Sequence, residues 1–200
     1  MDVILLARNL SYQFCACLIA CLILSPALAA QPKHVNICTQ EYALCTSAPC
    51  IPDPRHPGYA ICSCVVKQGD SAGYQSCQQR APKQYADKTS LIISTFSFAQ
   101  FDEKKAMSCS KGQPWTDCVD SPCVVNPMDP SKAICSCPIK HEQVYFTFGG
   151  DCDTKTCVTG FWSGSTDASG IELRNAMLKK LNITKNPWPN SACSTTGHSE

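Results

Sequence analysis

The chain has 200 residues, 17 of them cysteine, and a formal net charge of +1 from 17 Lys and Arg against 16 Asp and Glu. No block of like charge runs along it, so composition argues against a nucleic acid or an anionic membrane surface as partner. Cysteine at this density calls for a disulfide framework made in an oxidising compartment, not for a large apolar core.

Residues 1–30 read as a secretory signal peptide. Arg8 and the free amine give a positive head, Phe14 to Leu24 is an apolar run of 11, and Ala27-Leu28-Ala29-Ala30 offers a small-residue cleavage site. The run is too short for a membrane span, which takes about twenty apolar residues, so no transmembrane segment is expected after cleavage. Leu18-Ile19-Ala20-Cys21 also fits a lipoprotein cleavage site, a lesser reading because it would leave apolar Leu22 to Leu28 exposed. Cleavage takes Cys15, Cys17 and Cys21 with the leader and leaves 14 cysteines, an even count. The expected location is therefore periplasmic or extracellular.

Beyond the leader, the cysteine pattern divides the chain into a first module with a trailing strand (31–106), a second module (107–165) and a C-terminal helix and tail (166–200). Cys38, Cys45, Cys50, Cys62, Cys64 and Cys77 belong to the first; Cys109, Cys118, Cys123, Cys135, Cys137 and Cys152 belong to the second. Cys45 to Lys67 recurs as Cys118 to Lys140 at an offset of 73, with 11 of 23 positions identical, among them four cysteines and the run Ala-Ile-Cys-Ser-Cys. The interior spacing is fixed and only the outer arms vary, which places the knot of each module at its four central cysteines. What recurs is a frame, with no acid, base or nucleophile in it.

Tyr59 to Val66 alternates as a strand does, putting Ala60, Cys62, Cys64 and Val66 on one face. Pro52 to Gly58 and Asn126 to Pro130 carry turn chemistry, and Gln68 to Ser71 reads as a second turn. Val144 to Phe148 is the expected return strand of the second module. Thr89 to Phe101 reads as one buried strand, and Thr159 to Trp162 as its shorter counterpart. Ser169-Gly170-Ile171-Glu172 has capping-box spacing for a helix running to Asn182, with Ile171, Leu178 and Leu181 on one face and Lys179 and Lys180 near its C-terminal dipole. Cys157 and Cys193 are left as a seventh pair that ties down the tail.

Three chemistries compete for the cysteines. As disulfides they would stabilise modules of about 40 residues that bury too little apolar surface on their own. As ligands, Cys45, Cys50, Cys62 and Cys64 with Cys118, Cys123, Cys135 and Cys137 would make two four-thiolate sites for zinc or copper(I), although C-x4-C is long for a zinc knuckle. As redox thiols the Cys-x-Cys pairs would need a cationic neighbour, and alternation turns Lys67 away from Cys64. Disulfides are the leading reading. None of His34, His56, His141 and His198 is spaced from a serine or carboxylate as a catalytic motif requires. Gly149 to Asp153 lacks the ligand series of a calcium loop. Trp115, Trp162 and Trp188 could form a binding platform, with Trp162 beside Phe161 the better core residue. Asn182-Ile183-Thr184 is a glycosylation acceptor in a eukaryotic secretory route.

The order of cysteines around Cys-x-Cys resembles that of epidermal-growth-factor-like modules. The resemblance implies pairing of first with third, second with fourth and fifth with sixth, that is Cys38 with Cys50, Cys45 with Cys62 and Cys64 with Cys77, and likewise in the second module. The glycine-aromatic pair of that family comes late here, at Gly73-Tyr74, and has no counterpart in the second module. The likeness is one of spacing, and six cysteines allow fifteen pairings.

The expected fold is thus small, disulfide-rich and mainly β: two tandem cysteine-stapled β modules with one C-terminal α-helix. The expected role is binding or structural support without catalysis or cofactor, toward a protein or glycan partner, on the loops where the copies diverge, such as Arg55-His56 against Met128-Asp129.

Overall fold

The computed structural model describes residues 33–187 apart from 46, 102–104, 110, 142–143, 150–160 and 186. The leader with Cys21, and Cys152, Cys157, Trp188, Cys193 and His198, lie outside the described residues. Strands dominate: β1 (Asn36–Leu44), β2 (Pro49–Pro52), β3 (Tyr59–Gly73), a four-residue helix α1 (Cys77–Arg80), β4 (Lys83–Gln84), β5 (Ser90–Ile93), a 3-10 turn at Phe98–Phe101, β6 (Lys105–Cys109), β7 (Trp115–Asp117), β8 (Pro122–Asn126), β9 (Asp129–Lys140), β10 (Tyr145–Gly149), β11 (Phe161–Gly164) and α2 (Asp167–Lys180). Among the described residues no helix is long and apolar enough to cross a membrane.

The two copies of the repeated stretch lie against each other. β3 pairs antiparallel with β9, and Cys62 opposes Cys135, its own counterpart in the other copy. Ala60 then opposes Cys137, while Cys64 opposes Ala133, so each pair maps onto another when the copies are interchanged. A local two-fold axis therefore passes between Cys62 and Cys135. Among the described residues nine strands join in one sheet, and a run of pairings from β3 through β2, β11, β7 and β9 returns to β3. On the other side β9, β8 and β5 lead to a single bridge between Ser94 and Ala43 of β1, and β1 pairs with β3.

The trailing strands cross over. β5, which follows the first copy, pairs with β8 of the second, and β11, which follows the second, pairs with β2 of the first. The loop bonds repeat this exchange: Ser94 N–H donates to Ser121 C=O at 2.9 Å, and Ser163 N–H donates to Ala48 C=O at 3.1 Å.

Rings of so few strands leave room inside only for small side chains. The main core accordingly holds Ala43, Ala48, Ala60 and Ala133 with eight cysteines and Ile92. A second core, Ala72, Phe96, Phe148, Leu173 and Met177, seats α2.

Three sequence expectations need correction. Gln68 to Ser71 is no turn but the middle of β3, because β1 pairs with it residue by residue from Gln68 to Ser71 and overrides its turn-forming residues. Thr89 to Phe101 is a strand only over Ser90–Ile93; single bridges at Ser94 and Phe96 and the 3-10 turn follow. The helix begins earlier, at Asp167, with the Thr166 side chain accepting from Ser169 N–H. Its buried face is Gly170, Leu173 and Met177, the stripe that packs against Ala72, Phe96 and Phe148, and Ile171 is left 44% exposed, with Leu181 packed at the edge of the second core. The return strand expected at Val144 to Phe148 is β10, one residue later and paired with β6.

Candidate functional site

The eight central cysteines form one buried cluster at the two-fold axis. In the first copy the bridges are Cys45–Cys64 and Cys50–Cys62; in the second they are Cys118–Cys137 and Cys123–Cys135. Cys38–Cys77 closes the first copy from outside, and Cys109 is also disulfide-bonded. The pairing is nested, first with sixth, second with fifth and third with fourth. The pairing implied by the growth-factor resemblance is thus not formed. The reason is register: β2 and β3 are adjacent antiparallel strands in which Cys50 directly faces Cys62, so these side chains meet before any other partner can.

The bridges of the two copies touch. Cys45 Sγ lies 3.3 Å from Cys135 Sγ, and Cys118 Sγ lies 3.7 Å from Cys62 Sγ. The first contact becomes the second when the copies are interchanged. Cys45 also stands within 4.8 Å of Cys118 and Cys137, and of Cys123 and Cys135. The suggested four-thiolate sites within each copy are therefore replaced by clusters that run between copies. All of these sulfurs are held in bridges, and a thiolate ligand for zinc or copper becomes available only where a bridge opens.

The local symmetry fails at one buried position. Thr116 on β7, fully buried, places Oγ1 3.2 Å from Cys50 Sγ, 3.5 Å from Cys62 Sγ and 3.8 Å from Cys118 Sγ. Its counterpart in the other copy is Ala43, also fully buried. Nothing in the sequence singled out Thr116.

A polar clasp holds the copies together at the rim. Asp120, in the left-handed region at φ 61°, accepts the backbone N–H groups of Tyr74 at 2.7 Å and Gln75 at 3.1 Å. Its counterpart Ser47, at φ 57°, accepts the N–H of Phe148 at 2.7 Å. Beside Asp120 lies Arg80 of α1, fully buried, whose Nη2 donates to Asn36 C=O at 2.8 Å and touches Cys38 Sγ. Burial lowers the Arg80 pKa and the Asp120 charge works against that fall. Among the described residues Arg80 Nη1 and Asp120 Oδ1 have no hydrogen-bond partner, and both face Gly73, where an added Cβ would come within 2.8 and 2.4 Å of them. A capping box from Ser76 to Gln79 starts α1, and neither it nor Arg80 was singled out in the sequence.

The outer face of the central strands is apolar. Ile51 faces Ile61 across β2 and β3, and Ser63, Ile134, Val124 and Leu91 form a row across β3, β9, β8 and β5. Ile51 is 64% exposed, Ile134 46% and Val124 44%. The hairpin tips join the ends of these strands, β2 to β3 and β8 to β9. At one, Asp53 accepts from Arg55 N–H at 2.9 Å and contacts His56 Nδ1 at 3.0 Å; the Arg55 bond, then His56, lowers the Asp53 pKa. At the other, Met128 is almost fully exposed. Trp115, by contrast, is buried and stacked on Tyr145, ring centroids 5.2 Å apart, so it offers no platform. Both His56 and His141 are exposed in loops.

No protein-family model, no curated protein and no solved structure matches the chain.

Proposed function

We propose that the chain is an exported, disulfide-pinned protein with a binding or structural role and no catalytic one, and that its partner is a protein docking on the outer sheet face. The observation that carries this reading is the set of exposed aliphatic side chains Ile51, Ile134 and Val124, with half-buried Ile61 opposite Ile51, on a sheet whose inner side is locked by bridges. Exposed aliphatic residues on a rigid, covalently stapled surface suit a protein contact, since their conformation is set before binding and little order is lost on docking. Flat aliphatic surface suits a glycan less well than stacked aromatic rings would. The diverging tips Arg55-His56 and Met128-Asp129 flank the face and supply its specificity.

The test is a paired charge substitution, Ile51→Lys with Ile134→Lys. Both side chains are exposed, so folding and the content of free thiols should stay as in the parent protein, with stability changed by no more than about 0.5 kcal/mol for each substitution. Capture of protein partners from envelope and supernatant fractions should be lost; an unchanged capture profile sinks the reading, and binding to a glycan array in its place would transfer the face to a sugar ligand. Export is checked by intact mass under non-reducing conditions. Cleavage after Ala29 or Ala30 and a mass about 14 Da below the reduced value are expected for seven bridges.

A further inference from the structure

Three observations converge on one corner of the sulfur cluster. Thr116 is fully buried, and the polar neighbours of its hydroxyl are the sulfurs of Cys50, Cys62 and Cys118. A sulfur in a disulfide is a weak acceptor, so a hydroxyl buried against three of them is costly compared with the methyl group of Ala43 at the equivalent place. A thiolate is a charged acceptor, for which a buried donor is worth far more. Second, Cys118 and Cys62 belong to different bridges yet stand 3.7 Å apart, within reach of direct sulfur-to-sulfur attack. Third, Cys50, though buried, is the most exposed of the eight sulfur-bearing residues at 7%, while Cys62 is at 0%.

We propose that Cys118, Cys62, Cys50 and Thr116 form a thiol–disulfide exchange site that moves a thiol from the second copy to the first. The opening step takes an external thiolate, from a small monothiol or a redox-active protein. It attacks Cys137 Sγ, which is fully buried and is reached only when the sheet opens locally at β9, forms a mixed disulfide there, and releases Cys118 as thiolate. Cys118 then attacks Cys62 Sγ; the Cys62–Cys118 bond forms, the Cys50–Cys62 bond breaks, and the electron pair leaves on Cys50. The Thr116 hydroxyl, 3.2 Å away, donates its hydrogen bond to that thiolate. Each step makes one S–S bond and breaks one, so no further oxidant or reductant enters. Exchange rates rise with stabilisation of the leaving thiolate, and the transfer ends on the residue nearest solvent. The mirror route, Cys45 onto Cys135 at 3.3 Å, would release Cys123, where the residue corresponding to Thr116 is Ala43 and gives no donor. The site is therefore directional. It extends beyond the binding role and does not depend on it.

The test uses the full-length protein with Cys137→Ala, which leaves Cys118 without its partner and needs no added thiol. Rapid alkylation at low pH followed by peptide mapping should show a Cys62–Cys118 linked peptide and label on Cys50. Label on Cys118 with Cys50–Cys62 intact overturns the proposal. Adding Thr116→Val should shift the ratio of Cys50 to Cys118 label toward Cys118 by roughly tenfold, the worth of a hydrogen bond to a charged group, and Thr116→Ser should restore it. An unchanged ratio removes Thr116 from the site. Cys64→Ala, the mirror variant, should move less label from Cys45 to Cys123 than Cys137→Ala moves to Cys50; equal transfer refutes the directionality. If Cys137→Ala does not fold, the unsubstituted protein treated with a small monothiol under native conditions gives the same readout. The linked Cys62–Cys118 peptide is expected there, and bridges that open without it refute the exchange.

Discussion

Asp120 is the residue whose replacement most directly tests how the two copies are held together. Three variants separate its roles. Asp120→Ala removes the one oxygen, Oδ2, that accepts from the N–H groups of both Tyr74 and Gln75, takes away a carboxylate whose charge acts on the buried Arg80 guanidinium, and leaves a left-handed φ that alanine tolerates poorly. Leaving two part-buried N–H groups without their acceptor costs about 1–2 kcal/mol each, so a total loss of about 2–4 kcal/mol is expected. Asp120→Asn keeps the backbone conformation and one carbonyl acceptor but removes the charge, and neutral hydrogen bonds are roughly half as strong as charge-assisted ones, so a loss of about 1–2 kcal/mol is expected. Asp120→Gly restores the backbone freedom alone and should fall close to alanine, better by about 1 kcal/mol. Urea unfolding followed by far-UV circular dichroism, with the bridges intact, gives all three from the midpoint and slope. If Asn costs nothing, the charge facing Arg80 contributes nothing; if Ala costs less than about 0.5 kcal/mol, the clasp is not what joins the rim.

The same corner makes Gly73→Ala destabilising, by about 1–3 kcal/mol, because its Cβ would stand 2.4 Å from Asp120 Oδ1; a melting temperature equal to that of the parent protein would show that the corner relaxes freely. The buried hydroxyl of Tyr145 has no partner among the described residues, and burial raises its pKa above the ordinary value of 10.0. Tyr145→Phe keeps the stacking on Trp115 and should gain about 1 kcal/mol at neutral pH. A folded-state pKa raised in this way gives stability that is whole below about pH 10 and is lost as pH rises beyond it; burial raises Tyr42 and Tyr74 likewise, Tyr74 with further help from the Glu172 carboxylate that its hydroxyl meets at 3.0 Å. The parent should thus lose stability in alkali and the Phe variant should lose less, so parallel pH profiles would argue against the assignment. On α2, Leu173→Ala should cost about 2–5 kcal/mol, whereas Ile171→Ala should cost no more than about 0.5 kcal/mol; the reverse order in chemical denaturation would restore the face first expected from sequence.

Alternation in Tyr59 to Val66 was enough to place Ala60, Cys62 and Cys64 on the buried side, because a strand fixes which side chains share a face whatever its neighbours are. The same stretch was silent on pairing. Whether Cys62 meets Cys45 or Cys50 depends on the register between β2 and β3, and that register is a property of two strands and the hairpin joining them. Gln68-Gly69-Asp70-Ser71 was misread for a related reason: its residues favour a turn locally, and its strand conformation comes from β1, some thirty positions away. The helix was found with its start placed three residues late, and the buried face was a separate misreading: the stripe through Leu173 and Met177 is the one that packs on Ala72, Phe96 and Phe148, a choice made by tertiary contacts and not by the helix itself. Thr116 and Asp120 carry the chemistry of the cluster and its rim, and both take their meaning from residues of the other copy.

The exchange of trailing strands bears on what each copy can do alone. With β11 absent, β2 has an unpaired edge, and with β9 absent, Tyr59 to Val65 of β3 has another; edges of this kind recruit strands from other chains. Residues 31–106 carry both the edge and the strand, β5, that covers the equivalent edge in the other copy. Two such fragments can satisfy each other about the same two-fold axis, with Cys62 facing Cys62 where the whole chain sets Cys62 against Cys135. A fragment of residues 31–106 made under oxidising conditions is therefore expected to be a dimer, with Cys38–Cys77, Cys45–Cys64 and Cys50–Cys62 closed inside each chain and no bridge between chains. Light scattering and non-reducing mapping decide the matter. A folded monomer with native bridges would mean that the crossing strands are dispensable, and that each copy stands on its own disulfides without the exchange.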